Sequence, residues 1–552
     1  MSEVLKSLFE VGKYQEVVDQ FTQNEVQGTW AALSEEEQIT CIYYKCRSLN
    51  WLGRAEEALQ IAVNARTIYP SPKNPSYLLA LLAAQLYSFY ELMHYQKEEA
   101  QSALLEGEAV MEALTDNECQ IGAIWVAVFE HIMGLASWFK KELSKAIEFY
   151  HKAITSFKEL DSIHSTAQCL YDLSMCYYYR NEMNTATKYL QQSLTLYESL
   201  GNKRGIGQCM QLFGHLKSAI DDLDMALDCY KRSLSFFKAG NTPLYIGNAM
   251  GHIGSIYSLK NEPEKALDFF RQSLAVVEPL GIDWVIAYAF FHIGETHHQK
   301  GALDIALPFY QSSLAKFEAL GIDYDIVRLL FHLILLSLDQ QEIEQAQNYL
   351  ASLQKVASRV PDENVGVYIR KHLAEALVLK QSPRIVDKAR AQNLLTQIMN
   401  DDKFQFSGYL LIALIALCDL LLFEFKASDA SEVWEEVKTL MHQFYTEAQD
   451  HQEVNIVVNA LLLRAKFATV EGELDQAMNY FNEAKRIVIE KKLSILMNIV
   501  EKEQKEFEAN FHKWQDLIQQ HVSLKELLVQ AQLSEYIQRV QKIVQRSPLK
   551  KQ

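Results

Sequence analysis

Small and apolar side chains return along this chain at a fixed interval. Ala146, Ala186, Ala226, Ala266, Ala306 and Ala346 stand 40 residues apart without a slip. Four positions after each come Tyr150, Leu190, Tyr230, Phe270, Tyr310 and Leu350. Ser193, Ser233, Ser273 and Ser313 follow, each trailed by a leucine. Offsets of four, three and four lie on one face of an α-helix. Twelve residues before the first five alanines stand Gly134, Ser174, Gly214, Gly254 and Gly294, each preceded by an apolar residue. This second stripe belongs to a preceding helix. Each period is therefore predicted to be two antiparallel helices that approach closely where both carry small residues.

The punctuation agrees. Gly201, Gly281 and Gly321 close second helices, where a left-handed residue is needed. In "NTPLYIG", Thr242 is the predicted N-cap with Pro243 at the first helical position, and "NEPEKA" repeats the device with Asn261 as cap. Further pairs are expected at about 3–24, 39–70, 76–115, 120–160, 363–401, 405–447 and 452–490, followed by two longer helices at 493–521 and 524–546. The expected organisation is capping helices over 1–38, one continuous helical array over 39–492 (most regular at 120–360), capping helices over 493–546, and a disordered basic tail at 547–552.

Two segments carry a resemblance. "KCRSLNWLGRAEEALQIAVNARTIYP" places Gly53, Ala58, Ala65 and Pro70, and "KFATVEGELDQAMNYFNEAKRIV" places Ala465, Gly472, Ala477, Phe481 and Ala484, where the tetratricopeptide repeat (TPR) has its consensus residues. The usual TPR is about 34 residues long. The 40-residue period resembles the longer-helix subclass of kinesin light chains, LGN-type polarity adaptors and MalT-type regulators. The resemblance implies an all-α fold, a right-handed α-α superhelix of about twelve antiparallel pairs, with the first helix of each pair lining a concave groove. Carrying the family's groove positions onto this chain gives Gln168, Tyr171, Met175, Tyr178, Tyr179, Gln208, Gln211, His215, Asn248, Ser255, Tyr288, Phe291, Glu295, His298, Arg328 and Phe331. Some of these aromatics, Tyr171, Phe291 and Phe331 above all, could equally pack between helices. Amides suit the backbone of an extended peptide, and aromatics offer area at low entropy cost.

His252, His292 and His332 share one register where the LGN and kinesin-light-chain repeats often carry Asn, a departure from that pattern. No metal is expected there. Neighbouring repeats lie about 10 Å apart, too far for two of these side chains to share a zinc at bonds of ~2 Å. The family's carboxylate clamp is missing: Tyr171, Met175, Leu212, Asn248 and His252 occupy its positions, so a chaperone tail is not the expected ligand.

Composition narrows the picture. With 10 Pro and 21 Gly among 552 residues, turns are few and elements long. A net charge of −17 repels phosphate backbones, so nucleic acid is excluded as partner, and it favours basic proteins. The eight cysteines (Cys41, Cys46, Cys119, Cys169, Cys176, Cys209, Cys229, Cys418) form no CxxC pair and sit in apolar stripes, as expected in a reducing compartment. The stretch Tyr409–Phe423 is too short for a bilayer, which needs about 20 apolar residues, and it contains Asp419. A helix buried on all sides, in a cytoplasmic protein without membrane insertion, is expected.

No HExxH, GxSxG or P-loop is present. "GIGQCM" at Gly205 lies inside a helical stripe, and His297 and His298, adjacent on a helix, do not converge. No catalytic residue, metal or cofactor is therefore expected. Val500, Phe507, Phe511, Trp514 and Ile518 form a seam suited to a dimer through 493–521 or to a helix that caps the last repeat; the cap is the simpler reading. The sequence points to a non-enzymatic adaptor that binds a peptide or helix of a protein of unknown identity. A ligand-sensing module without its effector domain and a rigid spacer in a larger complex are the alternatives.

Overall fold

The computed structural model describes residues 1–93, 97–115, 122–220, 222–360, 364–401, 408–450, 454–491 and 494–547. Among them every regular element is helical. Cys119 and residues 548–552 of the expected tail lie outside the described residues.

The repeat is built as its spacing predicts. Ala123–Phe139 packs on Leu143–Glu159, Ile163–Tyr179 on Met183–Leu200, Lys203–Ala219 on Leu223–Ala239, and Pro243–Leu259 on Pro263–Val277. All six register alanines are fully buried. The small residues opposite them are small for a measurable reason: a Cβ added at Gly134, Gly214 or Gly254 would stand 2.5, 2.6 or 2.6 Å from the ring of Tyr150, Tyr230 or Phe270. Removing each such ring from water stabilises the pair by about 1.5–3 kcal/mol. The recurring serines also acquire a role. Ser193, Ser233 and Ser273 donate from Oγ to the carbonyls of Ala167, Gly207 and Gly247 at 2.7, 2.8 and 2.6 Å, tying the second helix of a pair to its first.

Turns inside the pairs use a left-handed residue: Lys141, Asn181, Asn261, Gly301 and Gln341. The next amide reaches back five residues, as in Glu142 N to Ser137 O at 2.9 Å and Glu262 N to Tyr257 O at 2.8 Å. That is a Schellman closure, which satisfies carbonyls at the helix end. Asn261 is thus the left-handed turn residue and Glu262 the N-cap of the next helix, correcting the expected cap. Thr242 is an N-cap, but its hydroxyl donates to Phe237 O. Gly201, Gly281 and Gly321 all have positive φ, as expected of helix stops.

Contacts divide the chain into two compact units: Met1–Thr296 with Ala315–Gly321, and His297–Leu314 with Ile322–Gln552. No composition shift marks this division, and it falls inside the helices Asp283–Gln299 and Leu303–Leu320. In the second unit the pairs are Asp323–Asp339 with Ile343–Ala357, Val365–Lys380 with Ile385–Asn400, Gly408–Ser428 with Ser431–Asp450, and Val454–Val470 with Leu474–Glu490. Helix Gly408–Ser428 has the length and apolar character to cross a bilayer, but 83% of its apolar window is buried in protein. Its Asp419 pairs with Lys380 at 2.7 Å.

The two long terminal helices are each broken. Ser494–Ala509 gives way to Phe511–Gln519 at Asn510, and Leu524–Gln530 to Leu533–Arg546 at Gln532, whose φ is 51°. The breaks let the seam follow the last repeat: Phe507 meets the Phe481 ring at 5.3 Å, and Ile518 covers Gly472. Of the seam, Val500, Phe507 and Trp514 are buried, and Phe511 and Ile518 are half-buried.

Candidate partner-binding surface

In the first unit an amino-terminal hairpin, Ser2–Glu10 and Tyr14–Val26, lies on repeats distant in sequence. Phe9 stacks on Trp51 at 4.5 Å and touches His164 at 5.0 Å. Tyr14 Oη accepts from Arg204 Nε at 3.0 Å. Arg204 is 1% exposed yet pairs with no carboxylate. Its remaining hydrogen bonds go to Gln208 Oε1 at 2.7 Å, Gln168 Oε1 at 3.1 Å and Tyr245 Oη at 3.4 Å, and its guanidinium lies 3.6 Å from the Trp51 ring. An ion so deeply buried persists only with this degree of satisfaction. Elsewhere the unit meets itself again: Trp284 Nε1 donates to Glu91 O at 3.2 Å, and Gly53 faces Leu244, Leu280 and Ile282.

This geometry gives part of the predicted groove partners inside the unit. Gln168 and Gln208, expected to serve a peptide backbone, accept from Arg204, whose Nε donates to Tyr14 of the hairpin; Gln208 is buried and Gln168 half-buried. Gln168 also accepts from Tyr197 Oη and donates to Asp172 Oδ2 at 3.0 and 3.1 Å. Gln211 and Phe291 are buried, Gln211 beside His252 Nε2 at 3.2 Å. The hairpin closes a cavity of about 30 Å³ lined by Glu10, Arg47, Tyr87, His131, His164 and Gln168 among others. Burial, helped by Arg204 and Arg47, pushes the His164 imidazole well below its usual 6.5, so it is neutral at pH 7. Sequence reasoning passed over Arg47 and Arg204. The available signal was a single arginine inside an otherwise apolar first-helix stripe, a residue seldom buried without partners.

Other predicted positions remain partly accessible. Tyr171, Met175, Tyr178, His215, Asn248, His252, Ser255, Tyr288, His292 and Glu295 are half-buried, and Tyr179 is 54% exposed. Several form a connected strip across successive first helices. Trp138 meets Tyr179 at 5.9 Å, Tyr179 meets Tyr178 at 5.3 Å, Tyr178 meets His215 at 6.2 Å, and His215 meets His252 edge-on at 4.6 Å. The shared histidine register has a packing cause. His252 stacks on Tyr230 at 5.2 Å and His292 on Phe270 at 5.2 Å, each on the aromatic that covers the repeat's small residue. His292 Nδ1 also lies 3.1 Å from Glu295 Oε2. Among the described residues no three His, Cys, Asp or Glu side chains are grouped to hold a metal.

The second unit receives His298, Arg328, Phe331 and His332, and all are buried. Arg328 pairs with Asp325 at 2.8 Å, Phe331 meets Tyr409 at 5.6 Å, and His332 meets Tyr310 at 5.8 Å, so packing inside the unit accounts for their positions. His298 Nε2 donates to Asp339 Oδ2 at 3.2 Å, and Asp339 also accepts from Arg546 Nε at 2.6 Å. Arg546 ends the helix Leu533–Arg546, which packs on Gly408–Ser428 and Val454–Val470, the first helices of two pairs. It lies beside more than the capping helix on which it was expected to fold back.

Family models described as tetratricopeptide repeat match residues 126–199 and 249–282. Those two segments are tetratricopeptide repeats. No curated protein matches the chain. Solved structures similar to it include a Rap protein complexed with competence and sporulation factor, at 14% identity over 75% of this chain and 99% of that one, TM-score 0.46. NprR in complex with its cognate peptide NprX shows 15% identity over 64% and 98%, TM-score 0.43. A signal-transduction ATPase with a TPR sensor from Pyrococcus horikoshii shows 12% identity over 62% and 52%, TM-score 0.42. TPR arrays as a class bury a continuous core by stacking and present extended surfaces to other proteins. This chain carries such an array.

Proposed function

We propose that the chain is a non-enzymatic interaction scaffold, and that the half-buried strip of the first unit receives a peptide or helix from another protein. One observation carries this reading: Tyr178, Tyr179, His215 and His252 form a connected run of rings on successive first helices, with Asn248 and Ser255 on the same helix as His252 and Tyr179 more than half exposed. Rings of this kind supply contact area with few rotatable bonds, and the amide supplies hydrogen bonds to a peptide. The net charge of −17 favours a basic partner.

A cavity of about 30 Å³ in the first unit has room for two or three water molecules, at ~10–15 Å³ each. The spacer alternative draws on Ile385, Val386 and Phe423 of the second unit, which are 77%, 70% and 52% exposed. The Tyr179→Ala, Asn248→Ala double variant separates the two. Affinity capture from the source cell should lose the wild-type partners with this variant while circular dichroism is unchanged. Retention of every partner would transfer binding to the exposed apolar side chains of the second unit.

A further inference from the structure

The helix Leu533–Arg546 completes no hairpin of the second unit's array. The four pairs between Asp323 and Glu490 are formed without it. It follows two left-handed residues, His521 and Gln532, with only the short helix Leu524–Gln530 between them. Seven of its side chains are buried: Leu533, Tyr536, Ile537, Val540, Gln541, Val544 and Gln545. Leu533, Ile537, Val540 and Val544, spaced four, three and four, are fully buried, while Glu535, Gln538 and Arg539 face solvent.

Its polar contacts are distributed in an unusual way. The first helices of all four pairs and the terminal helix Ser494–Ala509 each place one side chain on it, all near their carboxyl ends or middle. Asp339 accepts from Arg546, Lys380 Nζ donates to Gln541 Oε1 at 2.6 Å, and Lys426 donates to Ser534. Lys466 Nζ lies 4.9 Å from the Tyr536 ring, and Glu503 Oε1 accepts from Arg539 Nη1 at 3.3 Å. A helix that completes a repeat touches its own hairpin and the next one. A helix that addresses four pairs and a terminal helix at once is held as a ligand is held, by apolar side chains with polar anchors along its length.

We propose that the first-helix face of the second unit is a receptor for an amphipathic helix, and that Leu533–Arg546 is its resident, displaceable occupant. The partner it fits is a helix with apolar residues in four-three-four spacing and a cation two positions beyond the last, to replace Arg546 on Asp339. Tethering gives the resident helix an effective concentration of order millimolar. A free helix of equal intrinsic affinity is therefore largely excluded, and the site opens only to a tighter binder. The inference rests on the reading that first-helix faces of this array receive partner chains, and it concerns a different unit from the ring strip.

The test uses the full chain and a labelled synthetic peptide of residues 531–547, followed by fluorescence anisotropy. Val540→Asp in the chain weakens only the resident copy, so this variant should bind the wild-type peptide at least tenfold more tightly than the wild-type chain does. A peptide carrying the same Val540→Asp change should not bind. Arg546→Glu, which leaves the apolar stripe intact and removes the Asp339 anchor, should give a smaller gain of a few-fold. A folded Arg546→Glu chain with no gain overturns the proposal. So does a Val540→Asp chain that loses helical signal far beyond fourteen residues, since the helix would then be part of the core. Peptide uptake by Val540→Asp, combined with partner retention by the Tyr179→Ala, Asn248→Ala chain, would uphold this receptor and discard the ring strip.

Discussion

At the scale of single residues the repeat is held by a few recurring atoms. A ring from the second helix sits where the first helix has no side chain, and a serine hydroxyl nearby reaches a carbonyl of that first helix. Gly254 is the clearest case, because two effects oppose each other there. Alanine is the better helix former by about 1 kcal/mol, yet its Cβ would stand 2.6 Å from the Phe270 ring. Overpacking costs about 1–3 kcal/mol, so Gly254→Ala is expected to destabilise by about 1 kcal/mol. Gly251 on the same helix is an internal control: its nearest neighbour to a new Cβ is Ser273 Oγ at 4.0 Å. Gly251→Ala should be neutral or slightly stabilising. Denaturant midpoints of the two variants check this, and equal losses would show that helix backbone, rather than ring contact, sets the cost. These glycines and alanines were legible in the sequence because close approach demands small residues at fixed spacing. Arg204 was not. Its partners Tyr14, Gln168, Gln208 and Tyr245 come from four separate helices, and no local pattern announces them.

At the scale of elements, helix existence and pairing followed from the apolar period, whereas helix ends and terminal breaks followed from tertiary contacts. The interruption at Asn510 lets Phe507 and Ile518 both reach the last repeat, which one straight rod would not. The attachment of Leu533–Arg546 carries a pH dependence of definite sign. Burial on its own would raise the Asp339 carboxyl, but hydrogen bonds from His298 and Arg546 outweigh it and hold the group below its ordinary 3.8. A carboxylate with a depressed folded-state value contributes stability above its unfolded value, and that contribution is lost as acid protonates it in the fold. The melting temperature of the wild type should exceed that of Asp339→Asn at neutral pH, and the gap should close as pH falls below 3.8. A gap independent of pH would mean that the carboxylate charge contributes nothing to the anchor.

At the scale of the whole molecule, stacking makes each repeat's core depend on its neighbours, and the cysteines report on it. Cys41, Cys46, Cys169, Cys176, Cys209, Cys229 and Cys418 are all buried. Burial pushes the Cys41 thiol up to about 11, and those of Cys46, Cys176 and Cys209 up to about 12. A thiol-specific reagent at pH 8 should therefore label none of these seven in the native chain and all of them after unfolding, since thiolate is the reactive form. Mass spectrometry of the labelled chain reads the result. Rapid native labelling of Cys209 or Cys418 would show that the stack opens far more readily than its packing implies.

The sequence by itself determined an all-helical array, its 40-residue period, which residues face the partner helix, and the absence of any familiar catalytic signature. Those properties are local: they depend on spacing within about forty residues, and periodicity records them directly. Only the tertiary structure decided which first-helix positions stay accessible. Tyr14 of the amino-terminal hairpin shares Arg204 with Gln168 and Gln208, and the helix Leu533–Arg546 bonds Asp339 and Lys380. The contacts of Tyr14 with Arg204, Lys380 with Gln541 and Asp339 with Arg546 join residues separated by 190, 161 and 207 positions. They depend on the curvature accumulated over several stacked repeats, which no single period encodes.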